Sequence, residues 1–230
     1  MLTKILKIVR PKKTLNIKIT KTEFVFFAYR MFVDLLRGIF ITLVHGISVK
    51  KVFIGKGGRI SFSKRITLGK FTKIGDYCTL SGLGNEGLQI GDYVSIGSYS
   101  RVVVSTDISN LGEFIRIGNS VGIGEFCSLG GSGGLTIGEN TIIAQYFSAH
   151  PENHNFSDVT ALIKEQGTTR KAICIGANCW IGAKVTITAG VNVGDGVVIG
   201  AGSVVINDIP DNAIVVGNPA RILKFRGEDD

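Results

Sequence analysis

Histidine is the side chain best suited to exchanging a proton near neutral pH, and the sequence holds three: His45, His150 and His154. His45 closes an apolar segment and reads as structural or exposed. His150 and His154 open a polar stretch, Ser148-Ala149-His150-Pro151-Glu152-Asn153-His154-Asn155-Phe156. A histidine at the mouth of a loop whose root is held by a rigid element is placed to act as a general base. The plain alternative is a surface histidine on a polar loop. Two histidines with Glu152 or Asp158 also hint at a metal, but no third ligand stands at helix spacing, so no metal is expected. The four cysteines, Cys78, Cys127, Cys174 and Cys179, lack zinc-site spacing, and free thiols in a reduced, cytoplasmic protein are expected.

The rigid element is a six-residue repeat. Ile74-Gly75-Asp76-Tyr77-Cys78-Thr79, Ile90-Gly91-Asp92-Tyr93-Val94-Ser95 and Ile181-Gly182-Ala183-Lys184-Val185-Thr186 share an aliphatic anchor, a glycine and a small fifth residue. An extended chain alternates faces, so anchor and fifth residue fill one narrow interior. Three of the cysteines, Cys78, Cys127 and Cys179, fall at the fifth position and read as small buried hydrophobes. The glycine after the anchor is expected to supply backbone angles that other residues resist. Anchors group in threes: 68-74-80, 90-96-102, 117-123-129, 137-143-149, 175-181-187 and 193-199-205, with a partial set at 54-60. Three such strands make one triangular coil. Extra residues enter only between triplets, so every insertion leaves the same corner, where a solenoid tends to carry function. The domains expected are a basic, apolar helical extension over 1–47, the repeat over 48–208 with an insertion at 150–173, and a tail over 209–230 packing on the coils.

The net charge of +8 resides in the first 50 residues, which hold ten Lys or Arg against Glu23 and Asp34. Residues 51–230 hold sixteen of each sign, which argues against a nucleic-acid groove on the main body. Residues 23–44 are apolar, with Arg30, Asp34 and Arg37 lining one helical face. Those charges disfavour a spanning helix. Two readings stay open: a helix at an anionic membrane interface with Lys12, Lys13, Lys18 and Lys21 on lipid, or a helix packed on its own coils or on another subunit. The protein is then cytoplasmic, or peripheral on the inner face of the cytoplasmic membrane.

From about Ile54 to Arg226 the chain resembles the hexapeptide-repeat acyltransferase superfamily, nearest to galactoside-, maltose- and surface-polysaccharide-type O-acetyltransferases. The resemblance rests on His150-Pro151, then Asn178-Cys179-Trp180-Ile181-Gly182, then Ile199-Gly200-Ala201-Gly202-Ser203-Val204-Val205, and finally Gly217-Asn218-Pro219-Ala220-Arg221. It implies an all-β, left-handed parallel β-helix, of about seven triangular coils on the repeat count, and a homotrimer with sites between subunits. It implies acetyl-CoA as co-substrate and a sugar hydroxyl, in a surface polysaccharide or its precursor, as acceptor. His150 matches the general base, Trp180 an aromatic residue beside the coenzyme, and Arg221 a basic residue near its phosphates. Gly182, Ala183, Ala189, Gly190, Ala201 and Gly202 would let the pantetheine arm approach, or serve as turn and core residues. The polar insertion residues Glu152, His154, Asn155 and Arg170 are candidates for the acceptor. Two departures stand out: no lysine occurs in Val205-Ile206-Asn207-Asp208, and Phe126 and Ser128 occupy the neighbourhood of an expected asparagine. Transfer to an amine and a non-catalytic β-helix scaffold are the alternatives.

Overall fold

The computed structural model describes residues 19–48 and 51–228. The repeat winds into a three-sided parallel β-helix, the left-handed arrangement expected, preceded by one helix. The first face stacks strands 53–54, 73–74, 95–96, 122–123, 142–143, 180–181 and 198–199; the second stacks 59–61, 79–81, 101–103, 128–130, 148–150, 186–188 and 204–205. The third holds 66–68, 84–90, 112–117, 135–137, 173–175 and 192–193. The anchors sit in register: Ile54, Ile74, Ile96, Ile123, Ile143, Ile181 and Ile199 form one buried column on the first face. Extra residues leave only the corner between second and third faces, after strands ending at 103, 130 and 150.

The fifth-position residues are buried too, and the polar ones tie coil to coil. The Thr141 hydroxyl donates to the Gly176 carbonyl at 2.9 Å, Ser100 to that of Gly124 at 3.1 Å, and the Cys78 thiol to that of Gly97 at 3.2 Å. Among the described residues no buried side-chain polar atom lacks a partner.

The glycine's role differs from the expectation. The second-position glycines have ordinary negative φ; the left-handed residue is the fourth of the unit, as at Tyr77, Tyr99, Phe126, Tyr146, Asn178 and Lys184. What the glycine supplies is closeness. A Cβ on Gly124 would stand 2.5 Å from the Gln145 nitrogen, and one on Gly138 2.5 Å from that of Ala177, each in the coil above. The strand spacing of about 4.8 Å leaves no room for a side chain there. At the corner between first and second faces the fourth residues make a stacked column, Tyr77–Tyr99–Phe126–Tyr146, with ring centroids 5.1 to 5.3 Å apart. Their spacing is set by the coil rise.

The helix, α1, spans Lys21–Val44 and starts with a capping box between Thr20 and Glu23. Hydrogen bonds from the Thr20 backbone and hydroxyl hold the Glu23 carboxyl below the usual range. The helix covers the open end of the coils. Alternate residues of the first coil bond to the second, Phe53 and Gly55 donating and the Lys51 and Lys56 carbonyls accepting, while the Val52 and Ile54 carbonyls face the helix. Arg37 donates to the Ile54 carbonyl at 2.8 Å, and Gly38 lies so near the Val52 carbonyl that a Cβ would fall on it. A bare parallel edge is thereby closed. Asp34 pairs with Arg37 at 3.0 Å and Arg30 with Asp76 at 3.2 Å. Of the basic extension, Lys12, Lys13 and Lys18 lie outside the described residues.

At the other end, Ala213–Val216 continues the first face and Arg221–Phe225 folds back antiparallel upon it. The tail packs by extending a sheet.

Candidate functional site

His150 ends strand Ser148–His150 on the second face, in register with Thr188. Strand alternation buries Ala149 and turns Ser148 and His150 outward. Ser148 is fixed to Thr186, hydroxyl to hydroxyl at 3.0 Å. No hydrogen-bond partner engages the His150 imidazole among the described residues, and the ring is exposed. Pro151 follows at once and takes the chain off the corner, so the imidazole stands where a rigid strand meets the longest insertion.

That insertion is anchored. Glu152–His154 pairs antiparallel with Thr168–Arg170. Arg170 forms an ion pair with Glu152 through its Nε and donates from Nη1 to the Leu111 carbonyl at 2.6 Å. One guanidinium thus fastens two insertions that leave the corner from different coils. Between them and the second face lies an open groove of about 400 Å³. Glu152, His154, Thr168 and Arg170 form its roof, while Arg101 and Ser128 face it from the strands below. Asp107 lines it as well; hydrogen bonds from the Ser109 hydroxyl and N–H hold its carboxyl below the usual range. The groove therefore carries polar groups of both signs, a surface able to read hydroxyl-bearing ligands; His150 does not line it but stands on the strand next to the lining residues Ser128 and Leu129.

Three of the four expected acceptor residues, Glu152, His154 and Arg170, line this groove. Glu152 and Arg170 also hold each other. Asn155 does not reach it: its amide nitrogen donates to the Gln166 carbonyl at 3.0 Å and its oxygen accepts from Thr169 at 2.7 Å, bracing the insertion internally. Arg101 and Ser128 were missed as candidates, although the register predicted by the anchors 102, 129 and 149 already aligns positions 101, 128 and 148 on one face.

Trp180 stands on the first face, 59% exposed, between Ile142 and Val198. Gly182, Ala183, Ala201 and Gly202 follow at the corner between first and second faces. A Cβ on Gly182 would stand 2.6 Å from the Ala201 nitrogen, so that glycine serves coil packing, whereas Gly202, at φ +74, has open space around it. Arg221 is exposed on the returning strand, its Nη1 donating to the Ala220 carbonyl at 2.9 Å. Ala189 and Gly190 are apart from these, at the insertion corner, with the Lys171 side chain over Gly190. Within one chain His150 and Trp180 therefore occupy different faces, which turn away from each other. Among the described residues no group of three or more His, Cys, Asp or Glu could hold a metal ion. Burial pushes the thiols of Cys78, Cys127 and Cys179 up; Cys174 is exposed.

The bacterial transferase hexapeptide repeat (six repeats) matches residues 175–207. A probable acetyltransferase of Mycobacterium tuberculosis is 32% identical over 186 residues, 79% of this chain and 52% of that protein. The chain thus spans about half the length of that curated relative. Among solved structures, a variant of AntD, an N-acyltransferase from Bacillus cereus in complex with dTDP and coenzyme A, superposes with a TM-score of 0.53 at 24% identity, covering 77% of this chain and 82% of that one. The same enzyme with dTDP and 3-hydroxybutyryl-CoA gives 0.51 at 24% identity, covering 77% and 81%. At that identity the likeness shows the fold. With the matched repeat inside a continuous three-sided coil, and sequence likeness to a probable acetyltransferase running far beyond it, the chain is built on the hexapeptide repeat of bacterial transferases.

Proposed function

We propose that the chain is an acetyl-CoA-dependent O-acetyltransferase acting on a sugar hydroxyl of a surface polysaccharide or its precursor. The observation that supports this most is His150: an exposed imidazole with no hydrogen-bond partner among the described residues, on a rigid strand paired with the groove-lining strand 128–130. With an acceptor hydroxyl against the ring, His150 takes the proton as the oxygen attacks the thioester carbonyl. The tetrahedral centre then collapses, the carbon–sulfur bond breaks, and the imidazolium returns its proton to the departing coenzyme A sulfur. Transfer is direct. No cysteine nucleophile is invoked, since Cys78, Cys127 and Cys179 are buried with raised thiols.

The working unit in this reading is a homotrimer. Two faces of one prism cannot clasp one ligand, but the second face of one copy can meet the first face of the next, joining His150 to the partner's Trp180 and the corner around Gly202. The exposed Ile142 and Trp180, and the Tyr77–Tyr146 column, offer apolar surface for such a meeting.

The test is coenzyme A release from acetyl-CoA with hydroxyl-only and amine-only acceptors. Acceptor-dependent release with sugars is expected, reduced in His150→Ala by about 10²- to 10⁴-fold. Turnover with amines alone would replace the O-transfer reading by N-transfer. A folded protein that neither binds nor turns over acetyl-CoA would bring the scaffold reading forward.

A further inference from the structure

An amphipathic helix on a soluble body normally turns its apolar face inward and its charges to water. Helix α1 does the reverse. Its Arg30, Asp34 and Arg37 are engaged with one another or with the first coils, and the buried positions on that side are Asp34, Gly38 and Thr42. Outward, at spacings of three and four, run Val25, Tyr29, Phe32, Leu36, Phe40 and Leu43, each 49% to 66% exposed. The stripe runs from Val25 to Leu43, about 27 Å along the 24-residue helix. No described helix is long and apolar enough to cross a membrane.

Directly before this stripe the sequence is cationic. Residues 1–21 contain Lys4, Lys7, Arg10, Lys12, Lys13, Lys18 and Lys21 and no acid. An apolar, aromatic-rich helix face joined to a run of unopposed cations has the chemistry that suits an anionic lipid surface: aromatic and aliphatic groups enter the headgroup boundary while lysines meet lipid phosphates. A second copy of the chain would satisfy the apolar stripe but would bring the same positive charge toward its own kind. We infer that α1 docks the protein on an anionic membrane through its outward face, with the coils held clear of the lipid on the helix's charged side. This holds whether or not the proposed acyl transfer does.

The experiment is flotation of the full chain with vesicles of phosphatidylcholine alone and of phosphatidylcholine with phosphatidylglycerol. Three proteins are compared: wild type, Phe32→Ser/Leu36→Ser/Phe40→Ser on the outward stripe, and Lys12→Gln/Lys13→Gln/Lys18→Gln. Wild type is expected to float with anionic vesicles and at least about tenfold less with neutral ones. High salt and either variant are expected to reduce flotation to a similar degree. The substituted stripe residues lie on the outward face, so circular dichroism and melting of the coils should be unchanged. Absence of flotation with anionic vesicles, or flotation indifferent to the serine variant, overturns the proposal. So does a smaller assembly for the serine variant in sedimentation, which would assign the stripe to a second copy.

Discussion

Two glycines separate two uses of that residue. Gly124 has ordinary φ, and a Cβ there meets the backbone of the coil above at 2.5 Å. Gly202 sits at φ +74 with nothing within 4 Å. Gly124→Ala must push apart a pair of hydrogen-bonded coils and should cost about 2–4 kcal/mol, while Gly202→Ala bears only the left-handed strain of about 1 kcal/mol. Urea unfolding of both variants measures the difference; equal losses would mean the coils yield. The repeat made Gly124 stand out in the sequence, but for another reason than the one that holds. Adjacency of coils, not local backbone angle, sets the constraint, and adjacency is invisible until the chain closes into a prism. Arg170 is a second residue whose partners the sequence hid. As a polar insertion residue it suggested acceptor recognition, yet it holds both Glu152 and the Leu111 carbonyl, the latter 59 residues before it in the chain. Arg170→Met should leave a charge and a carbonyl without their partner, costing about 1–3 kcal/mol and loosening both insertions. Faster proteolysis within 105–111 and 155–168 is the expected readout. Arg170→Lys should not rescue it, because an ammonium cannot supply the guanidinium's fork.

Among the elements, the columns inside the prism were the most legible. Anchors spaced by six with a small fifth residue leave a chain few ways to bury them, and the register followed. The cysteines belong to this pattern. Cys78, Cys127 and Cys179 are each at most 2% exposed and Cys174 is on the surface, so native protein should release one equivalent of thiol to a disulfide reagent and unfolded protein four. Burial raises the three column thiols, and the consequence for stability has a definite sign. Above the ordinary thiol value of about 8.5 the unfolded chain loses protons that the folded chain keeps, so stability falls as pH rises. Replacing the three by alanine should flatten that fall between about pH 8 and 10, read as the slope of unfolding free energy rather than its absolute value. The direction of α1 was not legible. The spacing of Arg30, Asp34 and Arg37 showed a charged helical face, but water is the default neighbour of such a face. Only the outward-facing Ile54 carbonyl at the end of the coils, to which Arg37 donates, gives those charges a reason to turn inward.

For the molecule as a whole, the decisive feature is that the imidazole and the indole of the proposed site stand on different faces of one prism. A ligand touching both needs two chains, and in a closed ring of three each interface presents one second face to one first face. The arrangement gives a prediction that a self-contained site cannot meet. His150→Ala and Trp180→Ala subunits, each expected to be impaired alone, should complement when unfolded together and reassembled. A site formed from the Trp180→Ala chain's second face and the His150→Ala chain's first face contains both native residues. With random assembly of equal amounts, about one quarter of the sites are of that kind, so activity should return to about a quarter of the wild-type value. Mixing without unfolding, which leaves the assemblies intact, should restore nothing. If mixed assemblies form and remain as inactive as their parents, the groove beside His150 must bind its donor within a single chain, and Trp180 has no role in holding the coenzyme.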